Sequence, residues 1–237
     1  MLDNPVLGRK FDGMVSSGSS VTVEGVSWKA FFFMLFTFLS AFTSWHYPEI
    51  VSYIAPFTFA ALGIGIFISF KPKTAAVLAP VYCVIQGVCL GSYSMLMEVQ
   101  YSGIVIQSVL ATFGLAIAAC FLYGTGIIDV DSKFVAISGM FTLGVGFVYI
   151  VDLIVMFVFD TRLPMLHENS LFGILVSLVI IGVAISQLLV DFERIKQASK
   201  EHVEETYECY LAFGLVLTLI WLYMEVLRLL GKTRSRD

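Results

Sequence analysis

Long stretches without charge alternate along this chain with short clusters of charged residues. A helix needs about 20 apolar residues to cross the hydrocarbon core of a bilayer. The shortest uncharged run continues past a single acid, Glu225, to Gly231, where we expect the helix to end. The pattern predicts seven transmembrane helices, one for each mainly apolar run: 30–48, 50–70, 74–97, 99–128, 134–151, 169–190 and 209–224.

These runs predict helices because every backbone polar group in hydrocarbon must be hydrogen-bonded within the protein. They are too long and too continuously apolar for barrel strands, which alternate between lipid and a polar lumen. The loops between them are too short for a separate soluble domain. We therefore expect an all-α polytopic membrane protein with a polar tail at 1–27, one seven-helix domain at 28–231 and a basic tail at 232–237.

Composition excludes the main alternative classes. Of 237 residues, 58% are hydrophobic and 14% are charged, against about 25% charged in an ordinary soluble domain. Disorder requires low hydrophobicity, and a nucleic-acid binder carries a concentrated basic face, whereas the net charge here is −4. The expected surroundings are a lipid bilayer, without nucleic acid as a partner.

The positive residues predict an orientation. If the loops alternate between sides, nine Lys and Arg residues fall on the side of the N-terminus, and the loop after the fifth helix brings only Arg162 to the other. The positive-inside rule then places the N-terminus in the cytoplasm of a multi-pass inner-membrane protein. Four cations at the C-terminus conflict with this, so either they are translocated or the last segment is re-entrant: Arg228, Lys232, Arg234 and Arg236.

Motifs of known enzyme and metal sites are absent from the sequence. It contains no H-E-x-x-H, no Walker loop and no G-x-S-x-G, and no two cysteines have the C-x-x-C spacing. We therefore expect neither an enzyme nor a bound cofactor. Gly87-x-x-x-Gly91 allows two helices to approach closely, and we interpret it as ordinary packing inside the bundle.

Acids within or beside the apolar runs carry the candidate chemistry: Asp152, Asp191 and Glu225. A charged residue at the centre of a bilayer costs about 2.5–3.5 kcal/mol, so such residues usually face a polar interior and are paired. Two carboxyls in contact can share one proton up to neutral pH. Such a pair would be a proton sensor or a cation ligand.

Each acid also has a simpler interpretation. Asp191 is followed by charged residues, and in this interpretation it simply lies at the end of a helix, at the membrane surface. Glu225 forms a plain pair with Arg228, three residues later, near the membrane surface. Asp152 bonds a neighbouring helix. Gln187, four residues before Asp191, shares its helix face and favours a polar interior stripe instead.

Several segments, in their order and spacing, resemble the bacterial branch of the Bax inhibitor-1/YccA family. The resemblance runs from residue 4 to residue 230. The segments are Asn4-Pro5-Val6-Leu7, Ser69-Phe70-Lys71-Pro72, Tyr101-Ser102-Gly103-Ile104-Val105-Ile106-Gln107, Asp191-Phe192 and Trp221-Leu222-Tyr223-Met224-Glu225-Val226-Leu227-Arg228-Leu229-Leu230.

The resemblance implies a fold in which the seventh helix is central and the other six surround it. It also implies a pH-sensitive calcium leak channel. In such relatives, aspartates on the last two helices share a proton, and a basic residue on the second helix acts as a lock. Asp191 matches the sixth-helix acid and Glu225 the seventh-helix acid, while Lys71 or Lys73 is the available substitute for the lock.

Two departures from the family pattern affect this carboxyl pair. The seventh-helix acid is Glu instead of Asp, and 34 residues separate Asp191 from Glu225, more than in the channel branch. If the sixth helix continues to Tyr207, the two carboxyls lie at similar depth. If it ends near Lys200, they miss each other by roughly 20 Å at the helical rise per residue, and the pair fails.

The leading prediction is a pH-sensitive cation leak channel, with calcium as the permeant ion and as a ligand of Asp191 and Glu225. Repulsion between the deprotonated acids would open the path, and protonation would close it. The supporting polar residues are Asp152, Gln187, Arg228 and Lys71. The alternative is a non-conducting protein that modulates a membrane protease or another membrane partner. For either function we expect a monomer or a weak homo-oligomer.

Overall fold

Seven long helices make up the fold, as the sequence predicts. The computed structural model describes residue 14, residues 18–161, residues 163 and 166, and residues 168–235. Within this part of the chain, seven helices are long and apolar enough to cross a membrane. They are α1 (Val23–Trp45), α2 (Ile54–Phe70), α3 (Ala75–Gln100), α4 (Ile104–Gly124), α5 (Ser132–Phe159), α6 (Leu171–Lys200) and α7 (Glu208–Arg234).

The ends of the membrane domain differ from the prediction. α1 begins inside the predicted tail, because the Thr22 hydroxyl caps it by accepting a hydrogen bond from the Gly25 N–H at 2.9 Å. α7 continues past Gly231 to Arg234, so the expected helix end at Gly231 is wrong. α7 is one unbroken helix, which is not the geometry of a re-entrant segment.

Some residues used in the sequence analysis lie outside the described part of the chain. They include the segment Asn4-Pro5-Val6-Leu7 and the cations Arg9, Lys10, Arg162 and Arg236. The predicted orientation of the N-terminus is not tested by the described helices.

One structural unit comprises residues 1–100 and 191–217. In it, α3 packs against α1 and α2. A Cβ atom added at Gly87 would overlap the carbonyl oxygen of Thr37 on α1, and one at Gly91 would overlap that of Ala41. The glycine pair therefore joins two helices of the same unit, as expected.

The second unit comprises residues 101–190 and 218–237. Its core contains Ile181 and Ala184 of α6 packed with Leu222 and Val226 of α7. α6 and α7 each contribute one part to each unit. The most apolar stretch of α6 has 50% of its residues buried, and that of α7 has 56%. These are the largest buried shares among the seven helices.

Candidate functional site

Glu225, in the second half of α7, is the most buried of the three predicted acids. Its side chain is 1% exposed, and neighbouring residues of its own helix, Leu222 and Val226, belong to the apolar core of the second unit. Burial among apolar groups penalises a charged carboxylate unless hydrogen bonds compensate it. The partners of Glu225 therefore decide what it can do.

Three side chains donate hydrogen bonds to the Glu225 carboxylate. Arg228 Nη1 lies 3.1 Å from each of its oxygens, and the Trp221 indole Nε1 lies 3.1 Å from Oε1. The Tyr149 hydroxyl, on α5, donates to Oε1 and accepts from Arg228 Nη1 at 2.6 Å. These four residues form a closed hydrogen-bonded cluster, here named the Glu225 network.

Helical spacing explains most of the Glu225 network. Trp221, Glu225 and Arg228 recur at intervals of four and three residues and so share one face of α7. The Arg228 guanidinium also lies 5.2 Å from the centre of the Tyr149 ring, a favourable cation–π distance. The pair of Glu225 with Arg228 is confirmed, but it is buried, which differs from the exposed pair of the simpler interpretation.

Asp191 lies in the first unit, in the last third of α6, and is 6% exposed. Arg194 Nη1 donates to Asp191 Oδ1 at 3.3 Å, and the Arg194 side chain is 32% exposed. The Nε of Arg194 is buried and has no hydrogen-bond partner among the described residues. This acid is also held by an arginine three residues later, but by a longer bond.

Asp191 and Glu225, the predicted carboxyl pair, belong to different structural units. α6, which carries Asp191, ends at Lys200 and does not continue to Tyr207. Each carboxylate has an arginine on its own helix, so neither needs the other to offset its charge. Sharing of a proton stays a prediction.

These features occur in a chain that matches a known family over nearly its whole length. Residues 4–235 match the family described as Bax inhibitor 1 like. The chain belongs to the Bax inhibitor 1 like family. No curated protein and no solved structure matches it. The resemblance noted in the sequence is therefore confirmed, together with the assignment to multi-pass membrane proteins.

The third acid, Asp152, supports a loop in this Bax inhibitor 1 like protein. It is 5% exposed on α5, and its Oδ1 accepts a hydrogen bond from the backbone N–H of Leu163 at 2.9 Å. This bond satisfies a backbone donor beyond the end of α5, which ends at Phe159. Asp152 thus binds backbone after its own helix, and its bond to a neighbouring helix stays a prediction.

The basic lock expected on the second helix of the family does not correspond to a buried residue here. Lys71 follows the last residue of α2 and is exposed. Its ammonium lies 5.5 Å from the centre of the Phe67 ring. Lys73 forms an ion pair with Glu204 at 2.8 Å, and the hydrogen bond from its ammonium lowers the pKa of Glu204. The role of Lys71 in gating stays a prediction.

Neither acid has the ligand set of a resident calcium site. Calcium takes 6–8 oxygen ligands. Among the described residues, no group of three or more His, Cys, Asp or Glu side chains could hold a metal ion. Both oxygens of Glu225 lie within hydrogen-bond distance of Arg228. The predicted calcium ligands Asp191 and Glu225 are therefore not part of such a group in the described chain, and their contact with calcium stays a prediction.

Sequence reasoning missed four polar partners, two of them half-buried and two buried. Tyr149 carried no signal, whereas Trp221 could have been found from its position four residues before Glu225. Glu208, 3% exposed, accepts hydrogen bonds from Thr22 and forms an ion pair with Lys29. Glu208 and Lys29 both border apolar runs, so in the sequence they looked like ordinary charged residues of loops.

Lys232 is the fourth missed residue. The sequence analysis placed it in the basic tail, but it lies within α7 and is 4% exposed. Its position four residues after Arg228 was the available signal, because this spacing places it on the helix face of the buried acid.

Proposed function

We propose that this protein is a pH-sensitive cation leak pathway of the cytoplasmic membrane, with its N-terminus in the cytoplasm and calcium as the permeant ion. The observation that carries the proposal is the Glu225 network, a titratable carboxylate buried in a membrane-spanning helix and neutralised by an arginine. Ionisable residues within membrane-spanning segments are costly and mark ion pathways and proton relays. The family match supports this assignment without defining the ion.

The Glu225 network can respond to pH through one proton. Arginine keeps its charge at every accessible pH, so only the carboxyl group of Glu225 or the hydroxyl of Tyr149 can change the charge of the network by gaining or losing a proton. Protonation of Glu225 removes the charge that balances Arg228. The guanidinium then presents an unbalanced positive charge, which repels a cation in a medium of low dielectric constant. Calcium flux is therefore expected to fall as the pH falls.

This mechanism gives the same direction as the sequence analysis for a different reason. The predicted gate relied on repulsion between two deprotonated acids. In the described contacts, each acid is neutralised by its own arginine. The gate therefore responds to an arginine that has lost its balancing charge, and repulsion between two carboxylates plays no part. Contact between Asp191 and Glu225 is not required.

Asp191 and Arg194 supply a second, weaker control in this proposal. Arg194 is partly exposed and has a buried Nε without a hydrogen-bond partner in the described chain. The Arg194 guanidinium therefore has fewer hydrogen bonds to lose when its surroundings rearrange. We expect Asp191 to modulate the flux and Glu225 to determine its pH response.

Flux through the purified protein tests the proposal. The full chain is reconstituted in liposomes that enclose a calcium-sensitive dye, and calcium entry is measured from pH 5 to pH 8. The wild type is expected to conduct more at high pH, and Glu225→Gln is expected to lose this dependence. Asp129→Asn, at an exposed loop position, is the matched control and should behave as the wild type.

Two results would contradict the proposal. One is a Glu225→Gln variant that keeps the wild-type pH response. The other is an absence of flux from the wild type, and co-purification of a stoichiometric membrane partner would then favour the modulator of a membrane protease or another protein.

A further inference from the structure

A pocket of about 450 Å³ lies in the first unit, where the start of α1 meets the start of α7. The membrane-spanning segments that contain these helices begin at Val23 and Glu205, so the pocket lies at one surface of the bilayer. Its lining combines a hydroxyl, a lysine, two acids and two aromatic rings: Ser19, Trp28, Lys29, Phe32, Glu205 and Glu208. The pH response proposed above uses none of these residues.

Glu208 fixes the lysine of this pocket. The Lys29 ammonium forms an ion pair with the Glu208 carboxylate, which is 3% exposed and also accepts hydrogen bonds from the Thr22 N–H at 2.8 Å and the Thr22 hydroxyl at 3.0 Å. A Cβ atom added at Gly25 would overlap this carboxylate, so the helix leaves room for it only because this residue is glycine. An ammonium has three N–H donors, and the ion pair uses one. Lys29 therefore keeps positive donors for a ligand.

Glu205 brings a second, unpaired carboxylate to the pocket. The residue is exposed, and no partner of its carboxylate is found among the described residues. Its backbone N–H donates to the carbonyl oxygen of Ser19 at 3.1 Å, which fixes Glu205 beside Ser19. The pocket thus offers both a positive donor and a negative acceptor to one ligand.

Trp28 and Phe32 give the pocket an apolar side. They are four residues apart on one face of α1, are 56% and 48% exposed, and have ring centres 6.3 Å apart. Phe32 lies about 14 Å along the helix from Val23, whereas the headgroup layer is about 5–7 Å thick on each side of a bilayer. The pocket therefore extends from the headgroup layer to the depth of the acyl chains.

We propose that this pocket binds a phospholipid whose headgroup carries a phosphate and a primary ammonium, as phosphoethanolamine does. The Lys29 ammonium and the Ser19 hydroxyl donate to the phosphate. The Glu205 carboxylate accepts from the ammonium of the lipid, and the rings of Trp28 and Phe32 pack against the start of an acyl chain.

The charges of the pocket select this headgroup. Glu205 repels a purely anionic headgroup, and a choline headgroup has a positive charge but no N–H to donate. Hydrogen bonds between charged groups are about twice as strong as those between neutral groups. The inference does not depend on the proposed leak pathway, because the Glu225 network lies in the second unit.

Native mass spectrometry of the full chain in detergent tests the inference by counting bound lipids. The protein is mixed with phosphatidylethanolamine, phosphatidylcholine or phosphatidylglycerol that carry the same acyl chains. The wild type is expected to bind phosphatidylethanolamine about tenfold more tightly than the other two. Glu205→Gln is expected to reduce the preference over phosphatidylcholine to about twofold or less. Glu49→Gln, at an exposed position beyond the other end of α1, is the matched control and should keep the full preference.

A second variant fills the pocket and leaves its charges in place. Ser19→Trp sets a large ring at an exposed lining position, and it is expected to weaken binding of phosphatidylethanolamine about tenfold. Ser52→Trp, at an exposed position beyond the other end of α1, is the matched control and should bind as the wild type does.

Three results would overturn the inference. The first is equal binding of the three lipids by the wild type, and the second is a preference for phosphatidylethanolamine that both Glu205→Gln and Ser19→Trp retain. The third concerns soluble phosphoethanolamine, which lacks the apolar contacts and is expected to compete only at about a hundredfold higher concentration. Competition at the same concentration as the lipid would show that the site takes a free zwitterion instead.

Discussion

The two acid–arginine pairs of the last two helices have the same sequence spacing and different surroundings. Asp191 and Arg194, like Glu225 and Arg228, are three residues apart on a helix. Glu225 also receives hydrogen bonds from an indole on its own helix and from a tyrosine on another. Arg194 instead leaves a buried Nε unbonded among the described residues. Spacing therefore predicts both pairs, and a tyrosine on another helix adds a further bond to the Glu225 pair.

This difference divides the proposed gate into a firmly held part and a looser part. Removing one member of a well-bonded buried pair leaves the other charge uncompensated, which is costly. Asp191 is buried as well, but its arginine is 32% exposed and is joined by a longer bond of 3.3 Å, so we expect this pair to cost less to break. The predictions below follow from this contrast, beginning with the largest effect.

The strongest test compares truncation of the two acids. Glu225→Ala leaves the half-buried Arg228 without its acid and removes an acceptor of hydrogen bonds from three side chains, and we expect it to lower the free energy of unfolding by about 3–5 kcal/mol. Asp191→Ala leaves a partly exposed arginine and is expected to lower it by about 1 kcal/mol. Denaturation in detergent at pH 7.5 measures both. Equal losses would show that the two pairs are held alike.

Tyr149→Phe examines the tyrosine, which distinguishes the Glu225 network from the Asp191 pair. The substitution removes the hydroxyl that bonds both Glu225 and Arg228 but keeps the ring. We expect a loss of about 1–3 kcal/mol in the same denaturation measurement. Tyr53→Phe, at an exposed position, serves as a control with the same change of residue type. A loss no larger than that of the control would remove Tyr149 from the network.

Glu225→Asp tests the length of the acid and restores the residue type that the resemblance implies. The charge is kept, but the carboxylate is drawn back by one methylene from Tyr149 and Arg228. We expect a loss of about 1 kcal/mol, smaller than that of Glu225→Ala, because the ion pair can re-form with poorer geometry. A loss as large as that of the alanine variant would mean that geometry outweighs charge at this site.

The ion pair of Lys73 with Glu204 provides the exposed extreme of the comparison. The lysine lowers the pKa of Glu204, so the pair stabilises the fold above the ordinary pKa of a glutamate and loses this effect as the pH falls through the lowered pKa. Because both side chains are solvated, Glu204→Gln is expected to leave the unfolding midpoint at pH 7.5 nearly unchanged. If Glu204→Gln clearly lowers the unfolding midpoint at pH 7.5 but not at pH 3, the ion pair is stronger than expected for two exposed side chains.

The fold was accessible from the sequence because its strongest signal is hydrophobic length. Seven uncharged runs marked the seven helices, and Gly87-x-x-x-Gly91 marked the close packing of α3. The ends of the helices were harder to predict from the sequence. The sequence analysis took Gly231 as the end of α7, but the helix continues to Arg234, and Lys232 is buried with partners on α6. Such contacts between helices leave no local trace in the sequence.

The candidate site was accessible in part for the same reason. Asp152, Asp191 and Glu225 were found because an acid in an apolar run is conspicuous, and Arg228 because it follows on the same face. Tyr149 is one of ten tyrosines, and nothing in its neighbourhood separates it from the others. Its role depends on how α5 packs against α7, which is tertiary information.

The pH profile of calcium flux through Glu225→Gln and Asp191→Asn, measured side by side in liposomes, tests the central claim most directly. We predict that Glu225→Gln abolishes the fall in flux at low pH and that Asp191→Asn changes the amount of flux but keeps the fall. A Glu225→Gln profile that follows the wild type, with the pH dependence lost in Asp191→Asn instead, would contradict the account.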